Sequence, residues 1–278
     1  MLLVMKIAIQ GQPASFHDQA ARQLFDEPIE LICCETFSDT FEALADGRAD
    51  VAVVAIENSL YGTINPVYDL LLKHRPWISG ETYVRIHQCL VGLPGTKMHD
   101  ITEVYSHTAA LAQCEAFLAD NLPRAKRFEH ADTAGAAADV ATWADPTKAA
   151  IASAAAAERY GLTILAPDIE THHHNYTRFI VLHRERQTAE QANKTSIVLR
   201  TAHQSGALHR ALGVLEAHGY NMTLLTSRPI IGHHQKYMFY MDFEAGLDAQ
   251  TSRAFDELRA QGCDITILGS YQAATLPE

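Results

Sequence analysis

The residues best placed to do chemistry stand in three stretches. In "ETHHHNYTRF" (170–179), His172, His173 and His174 precede Asn175, Thr177, Arg178 and Phe179. Successive side chains of extended backbone point to opposite sides, so His172 and His174 can share a metal ion that His173 cannot reach. No cysteine or patterned acid completes a coordination set, and the run reads as a solvated loop. His233-His234 reads the same way. In "AIENSLYGTINPVYDLLLKH" a strand-like run meets a helical one, and the free backbone amides of a helix beginning near Gly62 would attract an anion at the strand's carboxyl end. Taken alone, Asn58 and Ser59 are equally ordinary helix caps. A second such junction, in "YSHTAALAQC", opens a helix at His107. Arg178 presents a planar fork that pairs with a carboxylate, either a ligand's or a neighbouring acid's. The five cysteines form neither a C-x-x-C pair nor a disulfide framework, so reduced thiols are expected, with Cys89 and Cys114 as small buried packing groups.

Hydrophobic periodicity supplies the scaffold for these junctions. "VMKIAIQ", "IELICCE" and "VAVVAIENS" alternate with the helical runs "GQPASFHDQAARQLF", where Ser15 is the expected cap, and "FSDTFEALADG". That alternation predicts an α/β lobe with a parallel sheet. After "ETYVRIHQCLVGLPG" it restarts through "EVYSH", "TAGAAADVATWA", "KAAIAS" and "LTILA", which predicts a second lobe, with Thr133 and Ser153 as caps. "TRFIVLHRE" reads as one more strand, and the polar "RERQTAEQANK" as a linker. Beyond it the pattern is βαββαβ, a ferredoxin-like plan. The expected domains are 1–186, with lobes at roughly 1–82 plus 170–186 and 83–169, and 195–272.

Composition narrows the partners. With 278 residues, 47% of them hydrophobic and 20% charged, the whole chain should fold. Its 22 basic and 33 acidic residues give a net charge of -11 with no cluster of Lys and Arg, so no nucleic-acid partner is expected. No apolar run reaches the roughly eighteen residues of a membrane span, so neither is a membrane partner, and a cytoplasmic location follows.

Six stretches, in order, resemble the prephenate dehydratase family joined to a C-terminal ACT domain: "IENSLYGTI" (56–64), "GETYVRIHQCL" (80–90), "YSHTAALAQC" (105–114), "DTAGAAADVA" (132–141), "AAIAS" (149–153) and "NYTRF" (175–179). The resemblance implies a two-lobed catalytic domain of the periplasmic-binding-protein type, with its site in the cleft between lobes. It implies conversion of prephenate to phenylpyruvate, carbon dioxide and water in phenylalanine synthesis, with no cofactor and no metal. Arogenate dehydratase and a non-catalytic aromatic-acid sensor are the other readings. The ACT resemblance rests on "SGALHRAL" and "NMTLLTSRP", and it implies L-phenylalanine as feedback effector, bound by Gly206, Ala207, Leu208, Asn221, Ser227 and Arg228, in a homodimer or homotetramer. The chain departs from the family pattern at Ala14, where Gly is commoner and which therefore implies a tighter turn, and at Thr108, Ser205 and Thr226.

The implied reaction expels carbon dioxide and hydroxide together as a ring becomes aromatic. It asks for a grip on a dianion and for help to the departing hydroxyl, without strong stabilisation of the departing carboxylate in the ground state. The resemblance makes Thr177 the donor at the leaving hydroxyl. A threonine hydroxyl is a weak acid, so Glu57, Glu81 and His107 stand beside it as candidate proton sources, unranked. Arg178 joins Thr177 and Glu57 in the catalytic set. Asn58, Ser59, Thr63, Ser106, His107, Gln113, Thr133, Asn175 and Phe179 are the expected substrate-binding residues. Glu81 has a second reading as a structural ion-pair partner.

Overall fold

The computed structural model describes residues 4–26, 28–187, 189, 191–230, 232 and 236–276; His233 and His234 lie outside them. In chain order the elements are β1 (Met5–Gln10), α1 (Phe16–Leu24), β2 (Ile29–Cys34), α2 (Phe37–Ala45), β3 (Val51–Asn58), β4 (Gly62–Thr63), α3 (Asn65–His74), β5 (Trp77–Arg85) and β6 (Cys89–Gly92). There follow β7 (Glu103–Ser106), α4 (Thr108–Gln113), α5 (Glu115–Asn121), β8 (Lys126–Glu129), α6 (Thr133–Trp143), β9 (Lys148–Ala152), α7 (Ala154–Arg159), β10 (Thr163–Ala166) and β11 (Tyr176–His183). The last are β12 (Lys194–Arg200), α8 (Ala207–Ala217), β13 (Met222–Pro229), β14 (Tyr237–Phe243), α9 (Ala249–Ala260) and β15 (Asp264–Tyr271). The chain divides into two compact units: Met1–Leu70, Thr82–Phe179 and Leu276–Glu278 form one, Leu71–Glu81 and Ile180–Thr275 the other.

The first unit holds two sheet layers. In one, the strands run β11-β3-β1-β2, with β1 parallel to both β2 and β3. β3 is buried on both faces from Val51 to Ile56, and its sequence "VAVVAI" is accordingly apolar without alternation. α1 is capped by Ser15, whose side chain accepts from the Asp18 amide, as expected. α2 carries a full capping box between Thr36 and Asp39. The second layer runs β10-β6-β9-β7-β8, with β7 parallel to β8 and β9 and with β6 antiparallel to β9 and β10. Against it packs α6, whose Ala134, Ala136 and Ala137 are fully buried because small side chains let the helix approach the strands.

Several expectations about element starts are corrected here. The helix after "IENS" begins at Asn65, not Gly62, because Gly62 and Thr63 pair back antiparallel on Asn58 and Glu57 as β4. The cap of α6 is Asp132, whose carboxylate accepts from the Gly135 amide at 2.7 Å, and not Thr133, its neighbour. Ser153 does cap α7. Ala14 stands at φ 68°, in the left-handed region, and its amide donates to the Asp18 carboxylate at 2.7 Å. A residue with a Cβ in that region is uncommon, as the departure from Gly in this turn implied.

The second unit has the βαββαβ order β12-α8-β13-β14-α9-β15, and its strands lie β13-β14-β12-β15-β5. Both helices cover one face, over a core that includes Ile197, Leu199, Leu215, Met241, Phe243, Phe255 and Leu258. The mixed α/β class and the βαββαβ order of this unit are as the sequence predicts. Inside this second unit Glu81 meets Lys194 in a buried ion pair, at 2.9 and 3.0 Å from its two carboxylate oxygens.

Candidate active site

In the first unit, a cavity of about 410 Å³ opens at the carboxyl ends of β1 and β3. One wall comes from Gln10 at the end of β1, from Ser15, Phe16 and His17 at the start of α1, and from Ala55 and Asn58 on β3. The opposite wall comes from Gln88, from His107, Ala109, Ala110 and Gln113 around α4, and from Ala131, Asp132 and Thr133 at the start of α6. Crevices outside strand ends are where open α/β sheets bind ligands, because backbone amides of the following helices face them. No Lys or Arg lines the cavity among the described residues. One bond joins lining residues across the cavity, from Tyr61 to the Ala109 carbonyl at 3.2 Å, and two more tie the turn before α1 to α7 and its end, from Ser153 to the Ala14 carbonyl and from Tyr160 to the Pro13 carbonyl, both at 3.0 Å.

Asn58 organises the rim. Its side-chain carbonyl accepts from the Leu60 and Tyr61 amides, both at 3.0 Å, which turns the chain after β3. Its amide nitrogen donates to Asn175 Oδ1 at 2.8 Å and to Thr177 Oγ1 at 2.9 Å. A threonine oxygen that accepts in this way still has its own proton to give. Asn58 was expected to hold substrate directly; although it lines the cavity, its polar groups are spent within the protein, so what it positions is Thr177. Ser59 is likewise spent, accepting from the Tyr176 amide at 2.9 Å and donating to the His174 carbonyl at 3.3 Å.

The remaining expected residues divide by location. His107, Gln113 and Thr133 line the cavity. His107 Nδ1 accepts from the Ala109 amide at 3.2 Å, so the neutral ring carries its proton on Nε2. Ser106 does not line the cavity: it is fully buried and donates to the Ile151 carbonyl at 2.7 Å. Glu57 and Thr63 face each other across the β3–β4 pair and are not lining residues either. Asn175, Thr177, Arg178 and Phe179 are all buried on or beside β11 and none of them is a lining residue; Asn175 and Thr177 are joined to the cavity wall by the bonds they accept from Asn58. Glu81 belongs to the other unit, where Lys194 holds it.

Sequence reasoning missed His17. Its ring is edge-on to Phe179 at 5.0 Å and tilted against Phe37 at 5.8 Å, and its Nε2 accepts from the Ala55 amide at 3.2 Å. Burial pushes its pKa down to about 3, so the ring is a neutral acceptor in the cavity wall. The signal available was its place two residues after the Ser15 cap, at the first turn of a helix that follows a strand. Of the other missed residues, Gln88 and Asp132 stand inside the quoted motifs 80–90 and 132–141, and Gln10 ends the first apolar run.

In the second unit a cavity of about 330 Å³ is lined by Gly206, Ala207 and Leu208 together with Thr201, His203 and Tyr237. Gly206 caps α8 at φ 77°, a conformation that glycine adopts without strain. Asn221, Ser227 and Arg228 do not line it; Asn221 donates instead to Glu244 at 2.9 Å.

Comparison with known proteins gives a consistent picture. The family model described as prephenate dehydratase matches residues 7–187. A bifunctional N-acyl-homoserine lactone acylase/prephenate dehydratase of Komagataeibacter europaeus is 38% identical over 273 residues, covering 96% of either chain. Arogenate dehydratase 1 of Petunia hybrida is 37% identical over 291 residues, covering 98% of this chain and 68% of that one. Among solved structures, GqqA, described as a quorum quenching acylase, superposes with TM-score 0.86 at 36% identity over 96% of this chain and 98% of that chain. The Arthrobacter aurescens prephenate dehydratase in complex with L-Phe does so with TM-score 0.86 at 29% identity, over 96% and 90%.

Proposed function

The chain belongs to the prephenate dehydratase family, and from that premise we propose that it is a carbon-oxygen lyase acting on prephenate, with the cavity of the first unit as its active site. In that reaction the bond between the ring carbon and its hydroxyl breaks, and the departing oxygen takes a proton to become water. The electron pair of the carboxylate's carbon-carbon bond enters the ring as carbon dioxide leaves. The observation that carries this reading is the Asn58 amide 2.9 Å from Thr177 Oγ1, which fills the acceptor side of that oxygen and leaves its proton for a leaving hydroxyl. Of the candidate proton sources Glu57, Glu81 and His107, His107 lines the cavity, and its imidazolium form, which gives up the bond from the Ala109 amide to Nδ1, is assigned the proton that the threonine cannot supply by itself. The absence of a lining Lys or Arg among the described residues suits the departing carboxylate, whose charge must not be stabilised before it is lost.

On the same reading residues 1–186 form the catalytic domain and 195–272 an ACT regulatory domain. L-phenylalanine is then the effector, with the cavity beside Gly206 as its pocket, supported by the βαββαβ order and by the L-Phe complex of the Arthrobacter aurescens relative. A homodimer or homotetramer and a cytoplasmic location complete the proposal. Arogenate is the second substrate to weigh, because plant relatives 37% identical to this chain are named arogenate dehydratases. The deciding experiment incubates the purified chain with prephenate and with arogenate and compares kcat/KM. Phenylpyruvate from prephenate at the higher kcat/KM is expected; a preference for arogenate reassigns the substrate, and turnover of neither removes the reading.

A further inference from the structure

We propose that the first unit binds one divalent transition-metal ion, with zinc as the best fit, through His87, Asp168 and Glu170. These residues stand on two neighbouring segments, 86–88 between β5 and β6 and 167–170 after β10, which the Ile169 amide ties together by donating to the Gln88 carbonyl at 2.9 Å. His87 Nδ1 lies 2.7 Å from Asp168 Oδ1 and 3.6 Å from Glu170 Oε1, and one donor atom from each of the three residues falls within 4.8 Å of the others. A tetrahedral zinc with ligand distances near about 2.0–2.2 Å spaces its donors by about 3.3–3.5 Å, so small side-chain shifts bring this set into range. Imidazole with carboxylates suits zinc and its first-row neighbours better than magnesium or calcium.

The independent pointer to a ligand is Glu170. Its side chain has 0% exposure, and while Oε2 accepts from the Gln88 amide at 2.9 Å, Oε1 accepts no hydrogen bond among the described residues. The His87 proton cannot serve it, because Nδ1 is already engaged by Asp168 at 2.7 Å. A carboxylate oxygen buried without a donor is costly, and a cation between the two acids and the imidazole removes that cost. His173 approaches from the open side, its Nδ1 3.8 Å from Glu170 Oε1, and is 61% exposed and therefore free to swing in as a fourth ligand. The member of the histidine run that faces the acids is thus the one that alternation sets apart from His172 and His174. Bound there, the ion clamps the two segments, and Gln88, which both donates to Glu170 and lines the cavity, connects the clamp to the active-site wall.

The test is titration of the metal-stripped full chain with Zn2+ by calorimetry, repeated with Co2+ to read the coordination in the visible spectrum. One ion per chain is expected, with His87→Ala and Asp168→Asn each weakening binding by at least about tenfold. The His172→Ala/His174→Ala pair should bind as wild type does. Asp168 stands at φ 50°, which asparagine also tolerates, so Asp168→Asn preserves the fold and an unchanged Tm verifies it. No saturable Zn2+ binding by the wild type overturns the proposal. So does binding that survives in the His87→Ala/Asp168→Asn pair, or that disappears only in the His172→Ala/His174→Ala pair.

Discussion

Thr177 is 8% exposed and held from one side by Asn58, so its hydroxyl is oriented before any ligand arrives. If that hydroxyl serves the leaving group, Thr177→Ala lowers kcat by about 10²–10³-fold, the usual effect of losing one preorganised donor. Thr177→Ser keeps the oxygen and the proton and should retain activity to within about tenfold. Phenylpyruvate formation checks both, and equal rates for the alanine variant and wild type remove Thr177 from the mechanism. His17 makes a different prediction, about pH. Its folded pKa of about 3 lies below the ordinary 6.5, so between those values the unfolded chain binds the extra proton. The contribution of this group is complete above about pH 6.5 and is lost as the pH falls towards 3. Urea midpoints of wild type and His17→Gln measured from pH 7 to pH 4 should therefore converge as the solution becomes acidic, and parallel curves would contradict a neutral buried ring. At this scale much was legible: Asn58, His107, Gln113 and Thr133 were named from motifs and do line the cavity. What a motif could not tell is whether a polar group is spent. Ser106 and Ser59 look like ligand donors in sequence, and their hydroxyls go to protein carbonyls because folding brings Ile151 and His174 beside them.

At the level of elements, glycines mark where backbones approach most closely. A Cβ on Gly269 of β15 would stand 2.1 Å from the Ile78 carbonyl oxygen of β5, and backbone cannot move aside as a side chain can. Gly269→Ala is expected to cost about 1–3 kcal/mol by overpacking. Gly213, within α8, has open space around its missing Cβ, and Gly213→Ala should stabilise by about 0.5–1 kcal/mol. Denaturant unfolding of the two variants checks the contrast, and two changes of the same sign would contradict it. The long, periodic elements were readable: the alternation of strands and helices in the first unit and the βαββαβ order in the second follow from periods of 2 and 3.6. The start of α3 was not, because a strand as short as Gly62–Thr63 has no period to detect and exists only through its pairing with Glu57 and Asn58. The cap of α6 was misassigned for a related reason. Asp132 and Thr133 are both good cap residues, and only the backbone geometry selects between them.

On the scale of the whole molecule, the pair between Glu81 and Lys194 is buried and joins β5 to β12. Lys194 is 4% exposed and Glu81 5%, and the Ala274 amide also donates to Glu81 at 3.1 Å. Lys194→Met takes one buried positive charge away from the Glu81 carboxylate and should cost about 3–5 kcal/mol, whereas the matched pair Lys194→Met/Glu81→Gln should recover a large part of it. Equilibrium unfolding of the single and double variants measures this, and a neutral single variant would show that the pair does not hold the second unit together. The ordered motifs by their resemblance determined the family, and hydrophobic period determined the α/β class and the ferredoxin-like unit, since each of these is written in local spacing; of the cavity wall they marked Asn58, His107, Gln113 and Thr133. Tertiary structure alone decided which polar groups remain free: that Asn58 serves Thr177, that His17 is a neutral wall residue, that Glu81 belongs to Lys194, and that His87 meets Asp168 and Glu170. The reason is that hydrogen-bond partners and burial depend on segments more than a hundred residues apart in the case of Asn58 and Thr177, and such distances leave no periodicity in a sequence.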